Sequence, residues 1–136
     1  SSDLNSGATT FTVTSNATSS NTGSTIVARD GSGNFTAGVI TATDFNSTSD
    51  INLKTNIKPI LSPLSKLLQL NGVTFNWKKD DRPSVGVIAQ DVYEHFPTAV
   101  RIRNDGTLAV DYEKLCALAF AAIRELHELL KKHKHD

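Results

Sequence analysis

The stretch Tyr112-Glu-Lys-Leu-Cys-Ala-Leu-Ala-Phe-Ala-Ala-Ile-Arg-Glu-Leu-His-Glu-Leu-Leu-Lys-Lys132 contains neither glycine nor proline. Within it Leu115, Ala119, Ala122, Leu126 and Leu129 recur at alternating spacings of four and three, the seam of a coiled coil. The spacing predicts a helix over 112–133, with Asp111 as its N-cap and Lys131-Lys-His-Lys134 opposing the negative end of its dipole. Cys116, Phe120, Ile123 and Leu130 form a second seam beside the first. The combined stripe is wider than one partner helix covers, so the helix is expected to pack on its own domain and on sister chains together. The alternative is a helix docked on its own sheet alone. Cys116, inside this apolar pattern, reads as core; a lone cysteine supports neither an internal disulfide framework nor a zinc cluster.

Upstream of this helix the pattern turns mixed. Leu61 to Leu70 has apolar residues at 61, 64, 67 and 68 after Pro59, and suits a short amphipathic helix ended by Asn71-Gly72. Val73-Thr-Phe-Asn-Trp77 alternates as a strand, Lys78 to Pro83 turns, and Val85-Gly-Val-Ile-Ala89 forms a second apolar run, together a hairpin. Gln90 to Phe96 reads as one or two helical turns before Pro97. A strand near Ala99 to Arg103, the Asn104-Asp-Gly106 turn and a strand through Leu108 to Val110 follow.

Before Ser49 the composition changes abruptly. Residues 1–48 are dominated by Ser, Thr, Asn and Gly, without lysine and with no leucine after Leu4. Short β-favouring clusters, Phe11-Thr-Val13, Ile26-Val-Ala28 and Phe35 to Phe45, alternate with turn-formers such as Asp30-Gly-Ser-Gly-Asn34. So little apolar content cannot fill a monomeric core. The segment is either disordered or gives strands to an intertwined oligomer with a shared axial core, and the alternation of Val39, Thr41 and Thr43 with Ile40 and Ala42 favours the oligomer.

Composition sets the outer limits. The 136 residues are about one ordinary domain with appended structure, which excludes a multidomain enzyme. Formal net charge is zero, so neither a nucleic-acid stripe nor a funnel for acidic substrates is expected. No run approaches the length of a membrane span and no secretory signal pattern opens the chain, so neither membrane insertion nor export is expected.

Several blocks carry a resemblance. Ser49-Asp-Ile-Asn-Leu-Lys54 with Asn56-Ile57, Leu70-Asn-Gly-Val-Thr-Phe-Asn-Trp-Lys78, Gly86-Val-Ile-Ala-Gln-Asp-Val92 with Phe96-Pro97, and Leu108-Ala-Val-Asp-Tyr112 occur in that order. In sequence and spacing they resemble the intramolecular chaperone domain of endosialidases, tail fibres and tailspikes, also called the peptidase S74 domain. The resemblance covers essentially Ser49 to His133. It implies an α+β chain: residues 1–48 as the end of a β-rich, intertwined trimeric fibre shaft, and residues 49–136 as a mixed α/β chaperone domain whose C-terminal helix joins a trimeric bundle. The implied activity is folding and trimerising a phage fibre, followed by release through autoproteolysis between Thr48 and Ser49. The partners implied are the chain itself as a homotrimer and its own upstream shaft, with no cofactor, metal, nucleic acid or membrane. Assembly would take place in the host cytoplasm, with the shaft kept in the virion tail fibre. Myelin-regulatory-type membrane-bound transcription factors share the domain, but no spanning helix or basic DNA-binding region stands here. The alternatives are a non-cleaving trimerisation cap and a receptor-binding tip, for which aromatic residues are sparse.

By this resemblance Ser49 and Lys54 form a self-cleaving serine–lysine dyad, and Asn52 stands where the family pattern, Ser-Asp-x-Arg-Leu-Lys, usually has arginine. A serine hydroxyl is a weak nucleophile at neutral pH and needs a base; a lysine amine serves only where burial or nearby cations favour its neutral form. Residues five apart point to different sides of a helix, and on an extended strand they stand about 16 Å apart on opposite faces. The segment must therefore turn, and Asp50, Asn52 and Asn56 are residue types that make such turns. Backbone amides would stabilise the oxyanion.

The remaining features have plainer readings. His127, His133 and His135 sit near the lysine-rich helix end as capping residues, since 133 and 135 do not share a helical face. His95 shows no evident partner in sequence. Gly31-Ser-Gly33 is a loop without the strand-to-helix context of a phosphate site. The Asn-x-Thr triplets at Asn16, Asn34 and Asn46 follow from composition. Trp77 is expected to be buried or at a subunit contact.

Overall fold

A computed structural model describes Thr10 and residues 12–134. The chain divides into two compact units, Ser1–Asp50 and Ile51–Asp136.

Among its described residues the first unit contains no strand; its one ladder element is an isolated parallel bridge between Thr18 and Val27. There the Thr18 amide donates to the Ile26 carbonyl at 2.9 Å and the Ala28 amide to the Thr18 carbonyl at 2.8 Å. The sequence expectation of strands at Ile26–Ala28 and Phe35–Phe45 is thus not met within a single chain, and Phe11 lies outside the described residues. The physical reason is that extended backbone without a neighbouring ladder has nothing to pair with, and the scattered apolar residues, Val13, Val39 and Phe45 among them, remain exposed. The Asp30–Asn34 turn does form, with Asp30 Oδ1 accepting the amides of Ser32 and Asn34 and Gly33 at φ 85°. These bonds, the one from Asn34 foremost, hold the Asp30 carboxyl below its ordinary value.

The second unit is mixed α/β, with two small antiparallel sheets and a long C-terminal helix. Helix α1 spans Pro63–Leu67, shorter than the 61–70 stretch predicted, because Ser62 adopts a left-handed conformation (φ 48°, ψ 51°) and Pro63 can only begin a helix. Strands β1 (Val73–Asn76) and β2 (Pro83–Gly86) pair antiparallel, Val73 opposite Gly86 and Asn76 opposite Pro83. Val73, Phe75, Ser84 and Gly86 lie on the half-buried face. The predicted apolar run 85–89 is split, since the strand stops at Gly86 and helix α2 (Ala89–His95) starts three residues on. Phe96 leaves helical geometry before Pro97, which opens a 3-10 turn at Pro97–Ala99. Strands β3 (Val100–Ile102) and β4 (Leu108–Val110) then pair around a turn in which Gly106 has φ 84°. Asp105 Oδ1 accepts from the Thr107 hydroxyl at 2.6 Å and from the Thr107 amide at 2.9 Å; these bonds, the hydroxyl's first, lower the Asp105 carboxyl below its ordinary range.

Helix α3 covers Tyr112–Lys134. Asp111 caps it as expected, Oδ1 accepting the amides of Glu113 at 3.1 Å and Lys114 at 3.4 Å. The helix packs on α1 and on the Pro97–Ala99 turn. Its buried residues are Leu118 and Ala122, with Leu115, Ala119 and Glu125 half-buried. Cys116 is exposed, which corrects its reading as core. The second seam faces away from the domain, and Phe120 and Ile123 stand 72% and 61% exposed. Among the described residues those fully buried are Val92 on α2, Ala99 in the 3-10 turn, and Leu118 and Ala122 on α3. No helix among the described residues is long and apolar enough to cross a membrane.

Candidate functional site

Thr48, Ser49 and Asp50 close the first unit and Lys54 lies near the start of the second. The intervening backbone turns, as the spacing of the two residues demands: Ile51–Leu53 is a 3-10 turn, closed by the Lys54 amide donating to the Ile51 carbonyl at 3.1 Å. Two residues beyond Lys54, Asn56 takes a left-handed conformation at φ 53°, which asparagine tolerates better than most residues. Ser49 and Lys54 are both exposed within the single chain. The burial that a lysine base requires is therefore not supplied by the chain alone. Three apolar residues near Lys54 in sequence, Ile51, Leu53 and Ile57, are 64–73% exposed.

Three contacts that sequence reasoning missed tie the second unit to α3. Glu125 Oε2 accepts the Leu64 amide at 2.9 Å, at the start of α1. The Tyr112 hydroxyl accepts the Val87 amide at 3.2 Å and sits against Gly86, where a Cβ would collide with it. The Lys114 ammonium donates to the Thr98 carbonyl at 3.4 Å. A tyrosine at the first helical turn and a Gly in a strand are visible in sequence; that they meet is not.

The histidines carry less. His95 Nε2 stands 3.9 Å from Glu94 Oε2, a neighbour that sequence reading did not assign it. His127 and His133 are exposed on α3, and His135 lies outside the described residues. Among the described residues no group of three His, Cys, Asp or Glu is arranged to hold a metal ion. Trp77, just beyond β1, is 48% exposed and meets Phe75 edge to face, with ring centroids 5.1 Å apart.

Residues 49–101 match the family model described as chaperone of endosialidase, Peptidase_S74. This stretch of the chain is similar to that family. The chaperone-of-endosialidase match begins at Ser49, one residue before the last residue of the first structural unit. The chain is also similar to long tail fibre proteins. It is 36% identical over 112 residues to Gp37 of Salmonella phage S16, across 71% of this chain and 15% of that protein. It is 32% identical over 93 residues to the Gp37 proteins of Enterobacteria phages K3 and T2, covering 62% of this chain and 8% and 7% of theirs. The chain thus spans a small fraction of the curated relatives it matches. The family's name marks a serine-peptidase kind of chaperone, and the similar proteins are long tail fibre proteins.

Proposed function

We propose that residues 49–136 act as an intramolecular chaperone that trimerises a phage tail fibre, and that they release themselves by cutting between Thr48 and Ser49. The observation that carries this reading is a coincidence of position: the family match starts at Ser49, where the composition changes and beside which the first structural unit ends. Residues 1–48 are then the end of the fibre shaft, whose β-favouring clusters find ladder partners on sister chains.

In the proposed reaction the Ser49 hydroxyl gives its proton to the Lys54 amine while its Oγ attacks the Thr48 carbonyl carbon. The peptide C–N bond breaks as the acyl group shifts to Oγ, and the proton passes to the departing Ser49 nitrogen. Water then hydrolyses the ester, leaving a Thr48 carboxylate and a new amino terminus with the Ser49 hydroxyl restored. Assembly enters because Lys54 is exposed in the single chain, and the exposed Ile51, Leu53 and Ile57 call for a cover. A sister chain seated there desolvates the lysine and favours its neutral form. Cleavage then reports completed trimers, in the host cytoplasm, and the shaft goes on to the virion.

A second reading, a permanent non-cleaving cap, is favoured by Asn52, which replaces the usual arginine of the family pattern. Intact mass of the freshly expressed chain, beside Ser49→Ala and Lys54→Ala, separates the two when each is sized by light scattering. A break before Ser49 in wild type, absent from both trimeric variants, is the expected result. Intact trimeric wild type establishes the cap, and an unfolded or monomeric variant that still cuts itself refutes the coupling to assembly.

A further inference from the structure

Two non-glycine residues in the left-handed region bracket the chain that follows Lys54: Asn56 at φ 53° and Ser62 at φ 48°. Asparagine visits that region readily. Serine does so at a cost, and Ser62 also precedes Pro63, whose ring disfavours helical geometry of either hand in the residue before it. Such a corner persists only where its surroundings hold it. Ser62 offers no side-chain cap to α1, and Pro63 has no amide hydrogen, so the first donor available after the corner is the Leu64 amide. Its acceptor is Glu125 Oε2, 61 residues away on α3, at 2.9 Å and partly buried. A carboxylate at a helix start meets both an orphan donor and the positive end of the peptide dipoles.

We infer that Glu125 is a positioning residue for self-cleavage: from the long helix it clamps the strained Ser62–Pro63 corner, and so fixes the far end of the segment that begins at Lys54. The inference rests on the proposed self-cleavage. The segment from Lys54 to Leu61 is largely exposed and makes no regular structure, with the 3-10 turn at Ile51–Leu53 before it and α1 after it. Releasing the second end lets Lys54 sample positions unproductive for proton transfer. Because Glu125 belongs to α3, docking of that helix and ordering of the cleavage segment become one event.

The test compares wild type, Glu125→Ala and Glu125→Gln in the full chain, following cleavage by time-resolved intact mass on material that sizes as the wild-type assembly. Glutamine keeps a carbonyl acceptor for the Leu64 amide; alanine does not. Glu125→Ala is expected to slow cleavage about tenfold, the effect of one capping interaction, with Glu125→Gln recovering most of the rate. Amide exchange on the same variants in a Ser49→Ala background is expected to be faster over residues 54–64 for alanine and near wild type for glutamine. Glu125→Ala cleaving at the wild-type rate, or exchange unchanged over 54–64, overturns the positioning role alone. A wild-type chain that never cleaves overturns the self-cleavage reading and the positioning role with it.

Discussion

Replacing Gly86 by alanine tests how the β1–β2 hairpin is joined to α3. By local preference the change stabilises: glycine inside a strand costs roughly 0.5–1 kcal/mol relative to alanine. Gly86 has no left-handed backbone to lose, since the positive-φ glycines among the described residues are Gly33 and Gly106. The structure predicts the opposite sign. A Cβ at residue 86 collides with the Tyr112 hydroxyl, while its other neighbours, Phe75 Cε1 at 3.6 Å and Tyr112 Cζ at 3.7 Å, are ordinary contacts. Tyr112 must swing away, breaking the bond from the Val87 amide. Overpacking costs about 1–3 kcal/mol and the lost bond about 1 kcal/mol, so the net loss is about 1–3 kcal/mol. Tyr112→Phe removes the oxygen and its hydrogen bond, and in that background Gly86→Ala is expected to be neutral or mildly stabilising. The double-mutant cycle should therefore show a coupling of about 1–4 kcal/mol. Urea unfolding of the four proteins in a Ser49→Ala background, at one fixed protein concentration, measures it. Costs that add to within about 0.5 kcal/mol would refute the contact.

Other perturbations sort core from assembly surface. Leu118→Ala, at a fully buried position, should cost about 3–5 kcal/mol in urea unfolding, whereas Phe120→Asp, on the exposed stripe, should leave the chain folded by circular dichroism but reduce its assembly in light scattering. Asp111→Ala removes the acceptor of the Glu113 and Lys114 amides and should cost about 1 kcal/mol, with Asp111→Asn nearly neutral. Asp105 has its carboxyl held below the ordinary 3.8. A depressed folded value means that its stabilisation is present above the unfolded value and lost as pH falls through the folded one. Asp105→Asn should therefore flatten the acid limb of the melting-temperature profile below roughly pH 4, and resonance titration of Asp105 should find a midpoint under 3.8.

The elements of the second unit were legible where one short-range rule governs them. Period-two alternation located β1, Asn104-Asp-Gly106 located the β3–β4 turn, and Asp111 before a glycine-free stretch located the start of α3. The facing of α3 was not legible. Residues 115, 119 and 122 and residues 116, 120 and 123 lie on stripes about one residue, roughly 100°, apart. Periodicity finds both stripes without saying which one meets α1, so Cys116 was read as core and Leu118 was missed. In the first unit β propensity named residues that favour extended backbone, but a ladder needs a second strand, and one chain supplies a single bridge. At the candidate site, Ser49 and Lys54 came from resemblance, and their spacing required only a turn, which Ile51–Leu53 makes. Glu125 was out of reach because a cap is normally sought beside the helix it serves, and this one comes from 61 residues away.

On the proposed reading, the small core has a use in a fibre. Among the described residues four are fully buried, two of them alanines; a fully buried valine or leucine contributes about 1.5–3 kcal/mol and an alanine less. Against this the same unit leaves Ile51, Leu53, Phe120 and Ile123 mostly in water. Covering those residues is expected to add to the stability of the isolated chain. On the proposed reading the cover is two sister chains, so the domain reaches its stable form only when three chains are together. The fibre shaft then starts with its strands already side by side, and the local concentration offsets the entropy that three separate, apolar-poor strands could not overcome. On that reading no separate sensor of assembly is needed, because the cover proposed for the exposed apolar residues would also desolvate Lys54.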